Sequence, residues 1–338
     1  MGVDISDIVV RIPTTLKEQK GSVVSVDAYN VIYQFLSNIR QADGTPLMDS
    51  NGRITSHISG LFFRTATFLQ NDIKPVYVFD GKPGLLKQNT IEQRRLIREK
   101  NLADLEEAKA SGDMERARSL STRINYITRE IVEESTHLLD LMGVPYIMAP
   151  SEGEAQASIL SRMGLVSGVV SQDYDCLLFG ARRVLRNFVT GGRRKIPGRN
   201  LYVNVSPELL DLEATLKKNA ITQDQLISIG ILVGTDFNSG LERVGAKTAL
   251  NLIKKYGSID AVLKARNAEI DHLDEIIDLF RNPPSIQDPV FRFNRPDREK
   301  LIKYLCDERS FSEQRVTSYV DEIISALSSS SQSTLESF

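Results

Sequence analysis

Seven acidic residues follow short apolar runs or begin helix-forming segments across about two-thirds of the 338-residue chain: Asp27, Asp80, Glu152, Glu154, Asp173, Asp175 and Asp236. An α/β sheet places its working groups just beyond the carboxyl ends of its strands, so we expect these side chains to meet. Converging carboxylates repel one another and are costly to desolvate unless cations neutralise them. Because Mg²⁺ prefers carboxylate oxygen, the sequence predicts a metal-dependent enzyme.

Two pairs of these acids have a spacing that suits hydrolysis of a phosphodiester by two metal ions. That reaction needs several carboxylates to hold cations about 4 Å apart. Glu152 with Glu154, and Asp173 with Asp175, lie two residues apart, so in extended backbone both members point to the same side.

Each acid also has a structural explanation. Asp27 and Asp173 could be helix N-caps, residues 151–154 could form a capping box, and Asp236 could be an ordinary loop residue. Their joint occurrence at the ends of strands and helices favours the catalytic interpretation.

Basic residues are concentrated in two stretches, although the net charge of the chain is only −2. Basic walls around an acidic, cation-loaded centre suit a polyanionic substrate. The alternative is that each stretch is a solvated surface. The first stretch contains Arg182, Arg183, Arg186, Arg193, Arg194, Lys195 and Arg199, and the second contains Lys82, Lys87, Arg94, Arg95, Arg98 and Lys100.

The composition, 41% hydrophobic and 25% charged, is that of an ordinary globular protein. No apolar run approaches the roughly 20 residues of a membrane span, and the N-terminus has no signal-peptide core. Two cysteines and three histidines leave little room for a disulfide framework, a zinc cluster or imidazole chemistry. We therefore expect an intracellular protein in a reducing compartment.

Short apolar runs alternate with helix-forming segments through the first part of the chain. Strands are predicted at residues 22–26, 76–79, 144–147, 169–171, 177–179, 184–188 and 201–205, and helices at 28–40, 56–70 and 152–162. This alternation predicts an α/β fold with a mixed, largely parallel sheet and helices on both faces.

The segment from Lys87 to Met142 breaks the alternation, because it is long, charged and helix-forming, with residues 111–113 as its clearest interruption. Its first part is polar around most of its circumference, which predicts a projecting helix. After Pro207 the chain is predicted to be helical, with a capping box of Thr222 and Gln225 and a helix at 246–256. Residues 328–338 are predicted to be a flexible, Ser-rich tail.

Five motifs resemble those of the flap endonucleases, structure-specific 5′-nucleases of the XPG-like family. They are Val-Asp27-Ala-Tyr-Asn, Tyr-Val-Phe-Asp80-Gly-Lys-Pro, Ala-Pro-Ser-Glu152-Gly-Glu154-Ala-Gln-Ala, Ser-Gln-Asp173-Tyr-Asp175 and Gly-Thr-Asp236-Phe. The resemblance covers essentially the whole chain and is to the compact, archaeal type. It implies a PIN-like 5′-nuclease fold with a projecting helical arch and a C-terminal helical region that contains a helix–two-turn–helix element.

The resemblance also implies a single nuclease domain over residues 1–327, followed by the tail. Its regions are 1–105, which begins the arch; 106–142, the arch and a connecting helix; 143–258, with the helix–two-turn–helix element at about 223–256; and the C-terminal helices, 259–327.

The implied activity is Mg²⁺-dependent cleavage of 5′ flaps, with 5′–3′ exonuclease activity, in DNA replication and repair. Mn²⁺ could substitute for Mg²⁺. Lys87 and Arg94 match the catalytic basic pair at the foot of the arch, which steers the scissile phosphate. The implied ligands of one Mg²⁺ are Asp80, Glu152 and Glu154, with Asp27 acting through water, and those of a second Mg²⁺ are Asp173, Asp175 and Asp236.

Contacts to flapped or nicked duplex DNA are implied for Gly2, Tyr33, Arg40, Thr55, Arg64, Arg193, Arg194, Lys195, Gly245 and Lys247. Tyr33 matches an aromatic that stacks on a base beside the cut, and residues 40–57 match the segment that receives a short 3′ flap. Residues 241–247 resemble a loop in which backbone amides, a K⁺ ion and a lysine hold duplex phosphates. The family has glycine where this chain has Arg243.

Gln332, Leu335 and Phe338 resemble a sliding-clamp-binding box, which implies a PCNA-type clamp as a partner. We expect a monomer with no membrane partner, in the cytoplasm and nucleoid of an archaeon or the nucleus of a eukaryote. Two alternatives stay open: a PIN-like ribonuclease with a similar acidic cluster, and a non-catalytic scaffold that binds DNA junctions or the clamp. The arch-like insertion and the loop before Lys247 favour the DNA nuclease.

Overall fold

Nine strands and fourteen α-helices are present in the part of the chain that the computed structural model describes, residues 2–41, 44–122, 124–189, 192–195 and 202–335. The strands are β1 (Arg11–Pro13), β2 (Val23–Asp27), β3 (Lys74–Phe79), β4 (Tyr146–Met148), β5 (Gly168–Val170), β6 (Arg183–Arg186), β7 (Gly192–Lys195), β8 (Tyr202–Val205) and β9 (Glu208–Asp211).

The helices alternate with the strands at first and then dominate the C-terminal part. They are α1 (Ala28–Asn38), α2 (Ser56–Gln70), α3 (Gln88–Ala110), α4 (Met114–Ser121), α5 (Arg129–Leu141), α6 (Gly153–Arg162), α7 (Asp175–Leu178), α8 (Leu212–Asn219), α9 (Gln223–Val233), α10 (Ala246–Tyr256), α11 (Ile259–Arg266), α12 (Leu273–Arg281), α13 (Arg298–Ile302) and α14 (Glu313–Leu335).

Seven strands form one sheet in the order β1-β9-β6-β5-β2-β3-β4, and β7 pairs with β8 in a separate hairpin. Strands β6, β5, β2, β3 and β4 are parallel, whereas β9 is antiparallel to both of its neighbours. Side chains alternate across the sheet: Val76 and Val78 join a core with α6 and α9, and Tyr77 and Phe79 join a core with α1 and α2. The predicted mixed, largely parallel sheet with helices on both faces is confirmed.

The strand order places four carboxyl ends side by side, those of β5, β2, β3 and β4. Asp27 is the last residue of β2, Asp80 follows β3, Glu152 follows β4, and Asp173 follows β5. Asp236 comes from the loop after α9. Residues far apart in sequence therefore share one edge of the sheet.

An arch, which we define as α3 and α4, lies in the connection between β3 and α5. A turn at residues 111–113 separates its two helices, as predicted. Leu105, Ala108, Ala117 and Leu120 form a small core of their own, separate from the two cores of the sheet. The arch therefore has independent packing at its far end and a mostly exposed first half.

Two predictions about secondary structure are wrong. Residues 177–179 belong to the short helix α7 and its C-cap rather than to a strand, because a short buried apolar run is compatible with either structure. After Pro207 the chain first forms strand β9, which pairs with both β1 and β6.

Residues 328–335 of the tail continue α14 as helical backbone, and the predicted flexibility of residues 328–338 stays a prediction. Serine is only moderately unfavourable in a helix, so a Ser-rich run can extend one that is already anchored. Val316, Val320 and Ile323 provide that anchor in the core with α2.

Two local predictions for the C-terminal part are confirmed. Thr222 and Gln225 form a complete capping box at the start of α9. Helix α10 spans Ala246–Tyr256, and Gly257 ends it with a φ of +86°. No helix in the described part of the chain is long and apolar enough to cross a membrane.

Candidate active site

The seven acids gather at the carboxyl edge of the sheet. Ligand oxygens of Asp27, Glu154 and Asp173 all lie within 4.8 Å of one another. Asp80 lies close enough to Glu152 for their charges to interact, and Asp175 interacts in the same way with Asp173 and Asp236. Five of the seven are buried, and Asp80 and Asp173 are partly exposed. Sequence positions spread over most of the chain thus form one concentrated negative site.

Asp27 is both a helix cap and a member of the acidic cluster. Its Oδ1 accepts a hydrogen bond from the backbone N of Asn30 at 3.0 Å, which caps α1, and its Oδ2 accepts one from Ser171 Oγ at 3.1 Å. Burial and the nearby charge of Asp80 raise the pKa of Asp27 to about 7. Capping α1 and belonging to the acidic cluster are therefore compatible in this residue.

Asp80 and Glu152 meet at the start of α6. The backbone N of Gly153 donates to Asp80 Oδ1 at 2.6 Å, and burial together with the charge of Glu152 raises the pKa of Asp80 to about 6. The predicted capping box at residues 151–154 is wrong. Glu152 takes the N-cap position, but its carboxylate pairs with Lys87 instead of capping the helix.

Asp175 and Glu154 are both buried, and their charges interact. Burial and the charge of Asp173 raise the pKa of Asp175 to about 7, even though the backbone N of Val3 donates to its Oδ1 at 2.9 Å. Burial and the charge of Asp175 raise the pKa of Glu154 well above its usual value. Gly2 lies against Asp175, because a Cβ there would stand 2.5 Å from Asp175 Oδ2.

Two basic side chains at the N-terminal end of α3, which we call the foot of the arch, enter the acidic cluster. Lys87 Nζ pairs with Glu152 and lies 3.5 Å from Asp236 Oδ2. Arg94 Nη2 donates to both carboxylate oxygens of Asp236, at 2.7 and 2.8 Å. Burial alone would lower the pKa of Lys87, but the charges of Glu154 and Glu152 raise it above its usual value. Lys87 and Arg94 therefore supply positive charge to part of the cluster.

The donor set fits hard divalent cations. All seven candidate ligands are carboxylates, and four of them have pKa values raised by burial and by one another: Asp27, Asp80, Glu154 and Asp175. This is the pattern expected where carboxylates outnumber the positive charges that would keep them ionised. Oxygen-only ligands suit Mg²⁺ and Mn²⁺ better than softer metals.

Sequence reasoning missed three polar residues that position the acids. Asn30 Nδ2 donates to Asp173 Oδ2 at 3.0 Å, and Ser171 Oγ bridges Asp27 and the backbone N of Asp173. Thr90 Oγ1 donates to the backbone O of Asp236 at 2.6 Å. The first two lie inside or beside the acidic motifs, which is a usable signal, whereas nothing in the sequence marks Thr90.

The candidate DNA-contacting residues of α1 and α2 differ in accessibility. Tyr33 is 42% exposed, whereas Thr55 is buried just before α2. Arg64 is half-buried, with Nη1 at 3.5 Å from the carbonyl O of Phe188. The guanidinium of Arg40 donates to Ser121 O at 3.0 Å and Asn125 Oδ1 at 2.6 Å. Arg40 thus links the end of α1 to the returning end of the arch, a structural task that the sequence did not suggest.

The remaining candidates lie at the start of α10 and in the hairpin. Gly245 is the N-cap of α10, and a Cβ there would meet nothing within 4 Å among the described residues. The side chain of Lys247 is 71% exposed and its Nζ lies 3.5 Å from Asp7 Oδ1. Arg243 has a φ of +61°, the left-handed conformation that glycine adopts most readily. Arg193, Arg194 and Lys195 lie on β7, where only the backbone is described, and Phe338 lies outside the described residues.

Comparison with known families and sequences gives consistent matches. Residues 5–101 match the XPG N-terminal domain, and residues 143–236 match the XPG I-region. The chain is 57% identical to flap endonuclease 1 of Picrophilus torridus over 338 residues, with all of both chains covered. It is 46% identical to flap endonuclease 1 of Pyrococcus abyssi, with 100% of this chain and 98% of that one covered.

Comparison with solved structures gives the same family and fold. Flap endonuclease-1 from Methanococcus jannaschii matches with a TM-score of 0.77 and 39% identity, over 97% of this chain and all of that one. The catalytic core of Rad2 in complex with a DNA substrate shares the fold, with a TM-score of 0.72 and 24% identity over 96% of this chain and all of that one.

Proposed function

This chain belongs to the flap endonucleases of the XPG family, and we propose that it cleaves flapped DNA by a two-metal mechanism. In this mechanism the seven clustered carboxylates hold the metal ions, and the side chains of Lys87 and Arg94 contact the DNA. The protein is a structure-specific 5′-nuclease that hydrolyses DNA phosphodiesters in replication and repair. The proposal concerns the residues that do this, the number of metal ions, and the partners.

One observation carries the proposal: acids from β2, β3, the β4–α6 connection, the β5–α7 connection and the α9 loop meet at one edge, beside two basic side chains of the arch. Asp80, Glu152 and Glu154 are the proposed ligands of one Mg²⁺, with Asp27 acting through water. Asp173, Asp175 and Asp236 are the proposed ligands of the second. The close approach of Asp27, Glu154 and Asp173 joins members of both sets and supports neighbouring ions.

When bound, the divalent ions activate the attacking water and stabilise the departing oxygen. Asn30 and Ser171 hold the carboxylates of Asp173 and Asp27 in fixed orientations. Lys87 and Arg94 would be available to the scissile phosphate if their carboxylate partners held metal, and their positive charge is complementary to the negative charge of the phosphate. The same two side chains thus neutralise the acids before metal binds and orient the substrate afterwards.

The duplex is proposed to lie against the start of α10. Gly245 leaves open space at a helix N-terminus, where backbone N–H groups favour phosphate. The exposed Lys247 adds positive charge there, and a K⁺ ion in the preceding loop would complete the grip. Tyr33, exposed on α1, is proposed to stack on a base beside the cut.

A PCNA-type sliding clamp is the proposed protein partner. The sequence around Gln332, Leu335 and Phe338 resembles a clamp-binding box, and helical backbone runs through Leu335. Deleting residues 332–338 should weaken capture by such a clamp without changing cleavage of free flapped DNA. Equal clamp binding by the deleted and full chains would refute this assignment.

The test of the function is Mg²⁺-dependent cleavage of a double-flap DNA, with single-stranded DNA, nicked duplex and single-stranded RNA of the same sequence as comparisons. We expect cleavage at the single-strand/duplex junction of the flapped DNA and its loss in Asp173→Ala. Preferred cleavage of the RNA would favour a PIN-like ribonuclease. Binding without Mg²⁺-dependent cleavage, and without stabilisation by Mg²⁺, would favour a non-catalytic scaffold.

A further inference from the structure

Three side chains from the foot of the arch reach the same residue, Asp236. Lys87 and Arg94 approach its carboxylate, while Thr90 Oγ1 donates to its backbone carbonyl O at 2.6 Å. Positions 87, 90 and 94 are three and four residues apart, so they lie on one side of the helix. The foot of α3 is therefore fastened to the α9 loop by two kinds of contact.

The contact made by Thr90 differs from the other two in what it leaves free. Lys87 and Arg94 bind a carboxylate that is a proposed metal ligand, so a metal ion competes with them. The hydroxyl of Thr90 binds the carbonyl of the peptide group and leaves the carboxylate oxygens untouched. The contact made by Thr90 is therefore compatible with metal binding.

The first turns of α3 have few packing contacts, so the hydrogen bond of Thr90 matters for their position. From Gln88 to Ile97 every residue is exposed except Thr90, which is partly buried. A helix with so little packing over its first two turns is held mainly by its polar contacts. If a metal ion took the place of Lys87 and Arg94 at the carboxylate of Asp236, the hydrogen bond of Thr90 to the backbone carbonyl would still be possible.

We propose that Thr90 is a positioning residue, which keeps the foot of α3 against the Asp236 loop so that Lys87 and Arg94 stay within reach of the scissile phosphate after metal binds. The proposal rests on the proposed function of those two residues. Thr90 itself binds the backbone carbonyl O of Asp236 and not its carboxylate.

The matched variants are Thr90→Val, which keeps the shape and removes the donor, and Thr90→Ser, which restores a hydroxyl. Thr67→Val is the control, because Thr67 Oγ1 donates to the carbonyl O of Phe63 within α2, at 2.8 Å. Single-turnover cleavage of a 5′-flapped DNA is measured at saturating Mg²⁺, with the Kd for that DNA measured in Ca²⁺. Hydrogen exchange of α3 amides is measured in EDTA without DNA.

We expect Thr90→Val to slow single-turnover cleavage about tenfold, the effect of losing one hydrogen bond of ordinary strength in the transition state, with the Kd changed less than twofold. Amides at the foot of α3 should exchange faster. Thr90→Ser should recover most of both effects, and Thr67→Val should show neither.

An unchanged cleavage rate in Thr90→Val overturns the positioning role, whether or not exchange becomes faster, and so does a Thr90→Ser that behaves like Thr90→Val. A wild-type protein that fails to cleave the flapped DNA refutes the proposed function instead. The exchange measurement then still decides whether Thr90 fastens the arch, because it needs neither DNA nor metal.

Discussion

Replacing Asp27 by Asn should separate the two roles of this residue. Asn is as good a helix N-cap as Asp, so the hydrogen bond to the backbone N of Asn30 can be kept. The substitution removes a charge that is buried beside Asp80 and Asp173. In the absence of metal we therefore expect Asp27→Asn to stabilise the fold while it weakens metal binding.

The size of this stabilisation and its dependence on pH follow from the raised pKa of Asp27, which is about 7 in the folded state and ordinarily 3.8. A carboxyl group with a raised pKa binds its proton more tightly in the folded state, so ionising it at higher pH costs stability. That cost is small below about pH 4, grows through the window up to pH 7, and then levels off. It amounts to about 2 kcal/mol at pH 5 and about 4 kcal/mol at pH 8, as upper limits, since neighbouring acids relax.

The assay is urea unfolding in EDTA at pH 5 and pH 8, repeated with Mg²⁺. Asp27→Asn should be more stable than wild type in EDTA, with a larger gain at pH 8, and Mg²⁺ should stabilise it less. Asp113→Asn is the matched control, because Asp113 caps α4 through the backbone N of Arg116 at 3.0 Å, away from the acidic cluster. A loss of stability in Asp27→Asn at pH 8 in EDTA, or a gain independent of pH, would refute the reasoning.

Three further predictions concern the metal ligands, the arch and the α10 loop. Asp80→Ala and Asp173→Ala should abolish cleavage but retain binding of flapped DNA; full activity in pure Asp173→Ala would exclude the proposed ligand set. Lys87→Ala should slow single-turnover cleavage more than it weakens DNA binding. It should also tighten Mg²⁺ binding, measured by calorimetry without DNA, because the amine paired with Glu152 is gone. Unchanged Mg²⁺ affinity together with a loss of DNA affinity alone would contradict this role. Arg243→Gly should raise the free energy of unfolding by up to about 1 kcal/mol through relief of left-handed strain, whereas Arg243→Ala should not; equal effects in urea unfolding would point to the lost guanidinium.

Features that depend on local patterns could be predicted from the sequence. Six of the seven acids lie at the end of a strand or the start of a helix, so Asp27, Asp80 and Asp173 could be placed at one edge once the sheet was taken as parallel. The capping box at Thr222 was predictable for the same reason, since all its partners lie within four residues.

Features that depend on which loops meet in space could not be predicted. The pairing of Arg94 with Asp236 joins residues 142 positions apart, and its detection needs the position of the α9 loop relative to the arch. Arg40 is of a residue type that often contacts DNA, yet its guanidinium donates hydrogen bonds to Ser121 and Asn125. The apolar run at 177–179 fits strand or buried helix equally well, and only tertiary packing decides between them.

The separate small core of the arch has an evolutionary consequence. Leu105, Ala108, Ala117 and Leu120 pack among themselves, so changes at the far end of the arch need no adjustment in the sheet that carries the acids. Insertions or deletions there can be selected for the shape of the nucleic acid, while the chemistry stays constant. The arch is thus a module in which substrate range can diverge among relatives, and chimeras exchanged beyond the foot of α3 should fold around an unchanged acidic edge.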